Sequence, residues 1–508
     1  MSDQAPTRRI FLASFMTLIA AGVGFAVRGG ILREWGNQFG FTQLELGAIT
    51  GGGLVGFGLI ILAASLITDH VGYKALLVLA FVLHVLSAVV TLAATPTFDS
   101  LGQQATYWCL YVGMFMFAVA NGLCEAAINP LVATLYPRQK THYLNVLHAG
   151  WPAGLVLGGL LGYFIVGRVR WEVPMALFLV PVVLYGVMIL GVRFPVSEAR
   201  AAGVGYGQMI RQLASPILLF LLLLHAGVGY VELGTDSWIT NITNSILTGQ
   251  GFLLFVYASS IMFVLRFFAG PIVERINPLG LLFCSATVAC VGLLMLGSVE
   301  SAVLVWAAVT VYGLGKTFFW PTMLGVVGER FPRGGAVTMG AIGGIGMLSA
   351  GLLGGPGIGY KQDFYASRYL QEASMPTYER YAAQSESRFG PFPKIRGLDG
   401  AKVGVLLEPD GAAELERSVR LLEEQGRTVD AITRLDLWWE STGRPNASVD
   451  EGPVSEARIF GGRMALKWTA VVPALLAVGY LILLAYFRRT GGYRQVELTE
   501  DGNASPTP

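Results

Sequence analysis

Charged residues are scarce in this chain, and their scarcity excludes a water-soluble fold. Only 13% of the 508 residues are Asp, Glu, Lys or Arg, whereas 54% are hydrophobic. A soluble domain typically carries about 25% charged residues, so this chain has too few charges to cover a surface that faces water. Its formal net charge of +2 gives no basis for nucleic-acid binding. The composition predicts a protein of the lipid bilayer.

Cysteine is also rare, and the cysteines are not arranged to bind a metal. Cys109, Cys124, Cys284 and Cys290 lie in apolar stretches and form no CxxC pair, which is typical of small buried residues. The sequence contains no HExxH, no GxSxG and no cluster with metal-ligand spacing. We therefore expect no metal, no cofactor and no enzymatic activity.

Long apolar runs are abundant instead. A membrane-spanning helix needs about 20 mostly apolar residues, and twelve stretches meet this requirement. They run near 9–30, 43–68, 74–94, 106–134, 143–167, 172–193, 214–240, 250–273, 279–297, 301–328, 334–358 and 466–487. The first run has no A-x-A-like cleavage site, so we expect a retained helix rather than a signal peptide.

The stretches divide into two groups of six around a polar, basic linker. We predict an all-α integral membrane protein made of two six-helix bundles. Its predicted parts are the first bundle (1–194), a cytoplasmic linker (195–213), the second bundle (214–360 and 466–488), an extracytoplasmic insertion between helices 11 and 12 (361–465) and a cytoplasmic tail (489–508).

Lysine and arginine are concentrated in alternate loops, which predicts the orientation in the membrane. One side carries Arg8, Arg9, Lys74, Arg138, Lys140, Arg193, Arg200, Arg211, Arg275, Arg330, Arg333, Arg488 and Arg489, and the other mainly Arg33, Arg168 and Arg170. We therefore expect the first side and both termini to be cytoplasmic, in a protein of the cell (inner) membrane.

The insertion, residues 361–465, is polar and aromatic. Within 410–426, Leu415, Val419 and Leu422 have the spacing of an amphipathic helix, and 361–384 is expected to form two more short helices. Two interpretations stay open for the insertion. It is either a tethered, solvated cap or a module that captures a partner or substrate.

The two halves repeat one another at corresponding positions. Asp69 follows the second stretch and Glu274 follows the eighth, each just before a turn on the predicted cytoplasmic side. The glycine-to-proline spacing at 122–130 in the fourth stretch recurs at 313–321 in the tenth. Parallel repeats of this kind are found in one class of secondary transporters.

The turn after the second stretch resembles the signature of the major facilitator superfamily, Gly-x-x-x-Asp-Arg-x-Gly-Arg-Arg. Asp69 and Gly72 match this signature, whereas His70 and Tyr73 depart from it. The resemblance implies twelve helices in two bundles, and a loop that latches the halves together, with Asp69 paired to charges of a neighbouring loop. The cytoplasmic gate implied by the resemblance and the repeat comprises Asp69, Gly72, Lys74, Glu274 and Arg275.

Charges inside the apolar stretches mark candidate functional residues, because an ionisable side chain at the bilayer centre costs at least about 2.5 kcal/mol. These residues are Arg28, His84, Glu125, His148, His225, Glu232, Asp236, Arg266 and Lys316.

Glu125 lies in the fourth stretch between Asn121 and Asn129. The three residues are four positions apart and therefore form one polar stripe on an apolar helix. A carboxyl group away from water favours its neutral form, which suits the reversible protonation that a proton symporter needs. The alternative is a permanent ion pair with Arg28 or Lys316.

The segment 121–154 is similar to the fucose permease branch of the superfamily, the fucose–galactose–glucose:proton symporters. The matching residues are Glu125, Asn129, Pro130, Leu144, Asn145 and Gly154. The segment GYVELGTDSW, at 229–238, is similar to the seventh helix of that branch. The resemblance implies that Glu125 is a protonatable residue of a sugar site.

Two residues depart from that branch. Gly29, beside Arg28, lies where the branch has a second acid, and His148 lies where it favours an amide. An arginine in this position suits an anionic substrate, or it keeps Glu125 ionised.

Two further pairs of residues have two interpretations each. Glu232 and Asp236 are one helical turn apart, so they repel each other unless one is protonated, paired or near water. They indicate either a cation site or a wet helix end. Trp151 and Trp320 either stack on the C–H face of a sugar or pack against neighbouring side chains.

These features together predict a secondary transporter that works by alternating access. Its substrate, a small polar solute and preferably a sugar, is expected to bind near the midplane with H⁺ as the coupling ion. The predicted substrate- and proton-binding residues are Arg28, Asn121, Glu125, Asn129, Asn145, His148, Trp151, Glu232, Asp236, Lys316 and Trp320.

We expect the small molecule and the lipid bilayer as partners, no nucleic acid, and a monomer. Two alternatives stay open: an organic-anion carrier of the same fold that uses Arg28 and Lys316, and a non-transporting receptor with the insertion as its sensor.

Overall fold

The structure is a computed structural model. It describes residues 4–41, 43–50, 53–165, 168–247, 250–299, 301–424, 426, 428–498 and 504–506. The helices of the first part are α1 (Gln4–Gly30), α2 (Leu32–Phe39), α3 (Gln43–Thr50), α4 (Gly53–Val71), α5 (Tyr73–Leu92), α6 (Ala94–Leu101), α7 (Gln103–Leu135), α8 (Lys140–His148), α9 (Gly150–Ile165), α10 (Glu172–Leu177), α11 (Leu179–Ile189), α12 (Glu198–Ala201) and α13 (Tyr206–Gln212).

The second part is also helical. Its helices are α14 (Pro216–Gly229), α15 (Thr235–Ile246), α16 (Gly251–Arg266), α17 (Ala269–Leu296), α18 (Ala302–Lys316), α19 (Phe319–Arg330), α20 (Gly335–Ser349), α21 (Gly355–Ala373), α22 (Met375–Tyr381), α23 (Gly400–Leu407), α24 (Gly411–Glu424), α25 (Asp430–Trp438), α26 (Arg444–Thr469) and α27 (Val471–Arg489). Shorter elements are π-helical turns at Tyr230–Gly234, Ala350–Gly354 and Trp439–Gly443, a 3-10 turn at Pro332–Gly334, and the antiparallel strands β1 (Val496–Leu498) and β2 (Ala504–Pro506).

The predicted all-α membrane fold is confirmed. Eleven helical runs among the described residues are long and apolar enough to cross a membrane by length and composition. The 16-residue helix α16 is apolar but shorter. A count of twelve spanning helices stays a prediction.

The eighth and ninth predicted stretches have different limits in the structure. We predicted the eighth to run to residue 273, but α16 ends at Arg266 and α17 begins at Ala269. Asn277 then has a φ of 55°, outside the helical region, just before Pro278. Proline disfavours helical backbone in the preceding residue, so the chain turns at Asn277, which lies in the gap between the two predicted stretches.

Glycines allow the long helices to approach closely. A Cβ on Gly154 of α9 would lie 2.4 Å from the Ile19 carbonyl oxygen of α1, so these helices pack backbone to backbone. A Cβ on Gly340 of α20 would lie 1.8 Å from Ser65 Oγ of α4. Small residues at such contacts are typical of helices that associate in a bilayer. The α4–α20 contact joins the first half of the chain to the second.

Two π-helical turns face each other in the second half. A Cβ on Gly234 would lie 2.6 Å from Gly354 Cα, so the turns Tyr230–Gly234 and Ala350–Gly354 touch through glycine. A π turn changes the direction in which the following side chains point and often marks a functional site. Glu232, in the first turn, is buried.

The insertion is built on extensions of the neighbouring helices. Residues 361–373 are the end of α21, so the prediction of two short helices within 361–384 is wrong for the first of them. Ala366 and Leu370 of α21 pack against Val454 of α26, and this apolar contact keeps the helix continuous.

A second cluster of the insertion contains the predicted amphipathic helix, present as α24. Leu415 and Leu422 are buried there, and Leu415 packs with Val405 and Trp439.

Candidate functional site

A cavity of about 390 Å³ opens between the halves at one end of the bundle. We call this the open end; the residues around it include Gly29, Leu32, Thr50, Gly53 and Ala350. Arg28, Asn121, Trp151 and Ser237 are among the residues that line the cavity. Ligand pockets typically measure about 300–1,000 Å³, so this outer cavity has room for a small solute.

A much smaller space of about 30 Å³ lies next to the outer cavity, and Phe57 and Trp151 line both. Its other lining residues include Glu125, His148, Glu232, Arg266 and Trp320. We call Glu125, His148, Glu232 and Arg266 the charged cluster. A space of this size holds about one water molecule, so the cluster is nearly closed.

Arg266 is the central residue of the charged cluster. Its Nη2 donates to Glu232 Oε1 at 3.0 Å, its Nη1 to the His148 carbonyl at 2.6 Å and its Nε to the Thr317 carbonyl at 2.8 Å. The second oxygen of Glu232 accepts from the Trp320 amide at 3.2 Å. Both charged groups are therefore hydrogen-bonded as well as paired, and the guanidinium ties His148 of the first half to the second half.

Glu125 has a different environment. Its Oε2 accepts from Asn129 Nδ2 at 2.7 Å, and Asn129 Oδ1 faces His148 Nε2 at 2.9 Å. In the part of the chain that the structure describes, no Lys or Arg nitrogen lies within 4.0 Å of its carboxylate. The structure therefore contradicts the alternative that Glu125 forms a permanent ion pair with Arg28 or Lys316.

The predicted pair Glu232 and Asp236 is separated by different partners. Lys316 Nζ bonds to Asp236, while Glu232 pairs with Arg266. Each carboxylate has its own cation, which removes the repulsion expected from their spacing. Lys316 also lies 5.4 Å from the centre of the Tyr312 ring.

The remaining predicted binding residues divide between packing and lining roles. Trp320 packs on His225 with ring centres 4.6 Å apart, whereas Trp151 lies at the boundary of the two spaces, 5.9 Å from Phe25. Asn145 Nδ2 donates to Thr322 Oγ1 at 3.1 Å and lines neither space.

Asn121 and Arg28 lie beside the outer cavity rather than in the charged cluster. Asn121 Oδ1 is 3.0 Å from His84 Nε2, and His84 Nδ1 is 2.8 Å from the Tyr185 hydroxyl. Arg28 Nη2 donates to Ser87 Oγ at 2.7 Å. The predicted polar stripe on α7 therefore leads from the outer cavity at Asn121 to the charged cluster at Glu125.

At the opposite end of the bundle the two halves are hydrogen-bonded to each other, and a cavity of about 460 Å³ at this end lies within the first half and the linker. We call this the sealed end; it comprises residues 69–74, 136–141, 193–213 and 328–336. Asp69 Oδ2 accepts from the Ala336 amide at 3.2 Å, and Arg200 Nη1 donates to the Asp69 carbonyl at 2.8 Å. Asp69 thus contacts both the linker and the second half, although through backbone groups rather than the charge pair that its motif implied.

The other predicted gate residues are less directly involved. Gly72 has a φ of +88°, which favours glycine. Lys74 Nζ donates to the Val192 carbonyl within the first half at 2.9 Å. Glu274 and Arg275 are exposed and have no ion pair among the described residues.

Several residues of the sealed end were not predicted. Lys140 Nζ donates to Glu198 Oε2 at 2.6 Å and to the Gly328 carbonyl at 3.1 Å. Thr141 Oγ1 donates to Glu329 Oε1 at 2.5 Å, and Tyr493 donates to the other oxygen of Glu329 at 2.7 Å. Burial and the nearby Glu329 carboxylate raise the pKa of Tyr493 well above its usual value, so this donor keeps its proton.

Arg266 is the main residue that the predicted site lacks. It is among the few charges inside apolar stretches, and that signal alone marks it as a candidate. Its partner Glu232 lies 34 positions earlier and the His148 carbonyl 118 positions earlier. No local spacing reveals contacts at these separations.

Comparison with known proteins gives one family and several similar structures. The family model described as Major Facilitator Superfamily matches residues 10–355. A search of curated proteins finds no match to this chain.

Three solved structures have similar folds. A variant of the E. coli fucose:proton symporter FucP has a TM-score of 0.58 at 16% identity, covering 73% of this chain and 94% of that one. A bacterial homolog of the human lysosomal transporter Spinster, inward-facing and unoccupied, has a TM-score of 0.60 at 13% identity, with coverages of 95% and 98%. The human organic anion transporter MFSD10 has a TM-score of 0.52 at 16% identity, with coverages of 69% and 92%.

Proposed function

The chain belongs to the Major Facilitator Superfamily and is a membrane transporter rather than an enzyme, and from this premise we propose that it carries a small sugar together with a proton. The solute enters the outer cavity between the halves and moves across by alternating access. Asn121, Ser237 and Trp151, which line that cavity, supply hydrogen-bonding groups and an aromatic face of the kind that sugars contact. A fucose:proton symporter is among the proteins of similar fold.

The proposal of proton coupling rests on Glu125. It is 6% exposed, it lines the space of about 30 Å³, and it is the one acid of the charged cluster without an ion-pair partner among the described residues. A carboxyl group held by an amide can take up and release a proton without breaking an ion pair. Glu232, bound by Arg266, lacks this freedom.

We propose a sequence of events from this arrangement. A proton enters from the open end and neutralises Glu125, whose hydrogen bond from Asn129 then weakens because it no longer involves a charged acceptor. Asn129 also contacts His148, and the His148 carbonyl is bonded to Arg266 of the second half. Protonation is thereby connected to the contact between the halves.

The orientation belongs to the same proposal. The sealed end carries the loops that are rich in lysine and arginine, so we place it, with both termini, in the cytoplasm of a cell whose inner membrane holds the protein as a monomer. The open end then faces outward, and the insertion lies on that outer side. Asp69, Lys140, Thr141 and Glu329 form the cytoplasmic gate in this scheme.

Uptake into proteoliposomes tests the function. Purified protein is reconstituted, and accumulation of a panel of labelled sugars is measured with and without an imposed pH gradient. We expect the gradient to drive accumulation of at least one sugar. The Glu125→Gln variant is expected to lose this accumulation and to keep exchange of labelled for unlabelled sugar. Glu416→Gln, on the exposed surface of the insertion, is the matched control and is expected to behave as wild type.

Three results would contradict the proposal. Accumulation that is driven by a sodium gradient and does not depend on pH would show that a proton is not the coupling ion. Full accumulation driven by the pH gradient in Glu125→Gln would show that Glu125 does not bind the transported proton. No flux of any solute, with ligand binding to the insertion, would favour a receptor.

A further inference from the structure

Arg28 is a buried cation that has no acidic partner among the residues that the structure describes. Its side chain is 1% exposed and lies between two rings, 3.9 Å from the centre of Phe117 and 4.6 Å from that of Phe178. Its Nη2 donates to Ser87 Oγ at 2.7 Å, its Nη1 reaches the Gly24 carbonyl only at 3.4 Å, and its Nε has no partner. In the described ranges no carboxylate oxygen lies within 4.0 Å of it.

Two other buried cations of the helical bundle, Arg266 and Lys316, show what Arg28 lacks. Arg266 is paired with Glu232, and Lys316 with Asp236. A buried charge normally needs a counter-charge and a full set of hydrogen bonds. An arginine does not lose its proton at physiological pH, so Arg28 stays positive. Aromatic rings offset part of the cost, but they leave the Nε–H unbonded.

Arg28 lines the outer cavity, where a solute can supply the missing charge. Phe117 and Asn121 of α7 line the same wall. The guanidinium is nearly covered, so an incoming group reaches it by displacing the Phe117 ring. A guanidinium with an unbonded Nε–H offers the planar pair of donors that a carboxylate accepts.

We propose that the transported solute carries a carboxylate, and that Arg28 binds it in the outer cavity. The solute is then a hydroxy acid, such as a sugar acid, whose hydroxyl groups contact Asn121 and Ser237. This inference rests on the proposed function, since it names the class of solute for the same cavity. A single unpaired cation matches a solute with one negative charge.

Matched pairs of probes test the inference. Lactate, gluconate and glucuronate are compared with their neutral counterparts propane-1,2-diol, sorbitol and glucose. The first measurement is the thermal stabilisation of purified protein in detergent, which needs no transport. The second measurement is competition in proteoliposomes. Within each acid–neutral pair, one compound is labelled, and the other is tested for inhibition of its uptake. We expect at least one acid to act at a concentration at least about tenfold lower than its neutral counterpart, a difference of one charge-assisted contact.

Variants of Arg28 separate binding from structure. Arg28→Gln is expected to abolish the preference for the acid, and Arg28→Lys to retain part of it because the charge remains. Ser87→Ala removes a hydrogen bond but keeps the charge, so it is expected to retain the preference. If Arg28 acts only in packing, Arg28→Gln lowers the melting temperature of the free protein but leaves the preference for the acid unchanged.

Failure of the inference is distinct from failure of the proposed function. If neutral sugars stabilise the protein and are taken up while no acid competes, the inference that the solute carries a carboxylate is wrong. The proposal of sugar transport then still holds. If an acid stabilises the protein through Arg28 but no solute is transported, Arg28 is still the carboxylate site. The proposed transport function is then wrong. No stabilisation by any acid of the panel would overturn the inference.

Discussion

The two ends of the helical bundle differ in what fills the space between its halves. At the open end the halves are separated by a cavity of about 390 Å³, lined mainly by apolar, aromatic and glycine residues. At the sealed end Lys140 and Thr141 of the first half donate directly to the Gly328 carbonyl and the Glu329 carboxylate of the second. Between the halves, the sealed end is thus closed by specific hydrogen bonds, whereas the open end has a space that a solute can occupy.

This difference has a consequence for the transport cycle. Hydrogen bonds to charged groups are roughly twice as strong as neutral ones, so opening the sealed end requires several of them to break together. A solute can favour that change only by the difference in its affinity for the two states. The charged cluster lies between the ends, and the guanidinium of its buried ion pair also bonds to the opposite half. Four predictions test this comparison.

The largest effect is expected at the charged cluster. Arg266→Gln removes the cation of a buried pair and leaves Glu232 without its counter-charge, which typically costs about 3–5 kcal/mol. We expect a marked drop in the temperature at which the purified protein unfolds in detergent, and loss of uptake.

A double variant serves as the control for that experiment. Arg266→Met combined with Glu232→Leu removes both charges, so much of the stability is expected to return, while transport is not. Wild-type stability in Arg266→Gln would show that the pair does not join the halves.

A second prediction fills the open end. Gly29 lines the outer cavity, and a Cβ on it would meet nothing within 4 Å. Gly29→Ala is therefore expected to be neutral, whereas Gly29→Trp fills the cavity and removes most of the uptake without lowering the melting temperature. Gly30→Trp, at a neighbouring position that does not line the cavity, is the control. Equal loss of uptake in both tryptophan variants would argue against the cavity as the entry route.

A third prediction loosens the sealed end. Thr141→Val removes a hydrogen bond to the Glu329 carboxylate, and such a bond contributes about 1.5–3 kcal/mol. The sealed end is expected to open more often. The reporter of this opening is the alkylation rate of a cysteine at Ala133, introduced into a chain without its four native cysteines. Ala133 is suitable because it lines a separate space of about 20 Å³ at the sealed end, beside Lys140 and Glu198. Thr141→Ser keeps the hydroxyl and is expected to leave the rate unchanged; a faster rate there would point to packing instead.

The smallest effect is expected from the tail. Tyr493, after the last helix, donates to Glu329, and Tyr493→Phe removes this bond alone. The expected change is about 1.5 kcal/mol, the lower limit for a hydrogen bond to a charged group, seen as a modest increase in alkylation of the same Ala133→Cys reporter. The exposed Tyr486→Phe is the matched control. Alkylation that is unchanged by Tyr493→Phe would mean that the tail does not help to close the sealed end.

Local patterns predicted the features that depend on neighbours along the chain. The spacing of Asn121, Glu125 and Asn129 predicted one polar face, and the structure joins Glu125 to Asn129 by a hydrogen bond. The spacing of Leu415 and Leu422 predicted the buried face of α24. In each case the periodicity of a helix sets the relation between the residues.

Patterns along the chain failed where a helix depends on a distant partner. Residues 361–384 were expected to form two short helices, yet 361–373 continue α21 because α26, far along the chain, covers their apolar side. The gate motif indicated Asp69 but not Glu329, since Thr141 and Glu329 are 188 positions apart.

The sequence by itself determined that this is a helical membrane protein, where its apolar helices lie and which few charges they contain, because these properties follow from hydrophobicity and helical periodicity. Only the tertiary structure decided how those charges are partnered. Arg266 is paired with Glu232, Lys316 with Asp236, and Arg28 with no acid among the described residues. The reason is that ion pairs form between side chains that packing brings within a few ångströms, and distance in space is not written in the order of the residues.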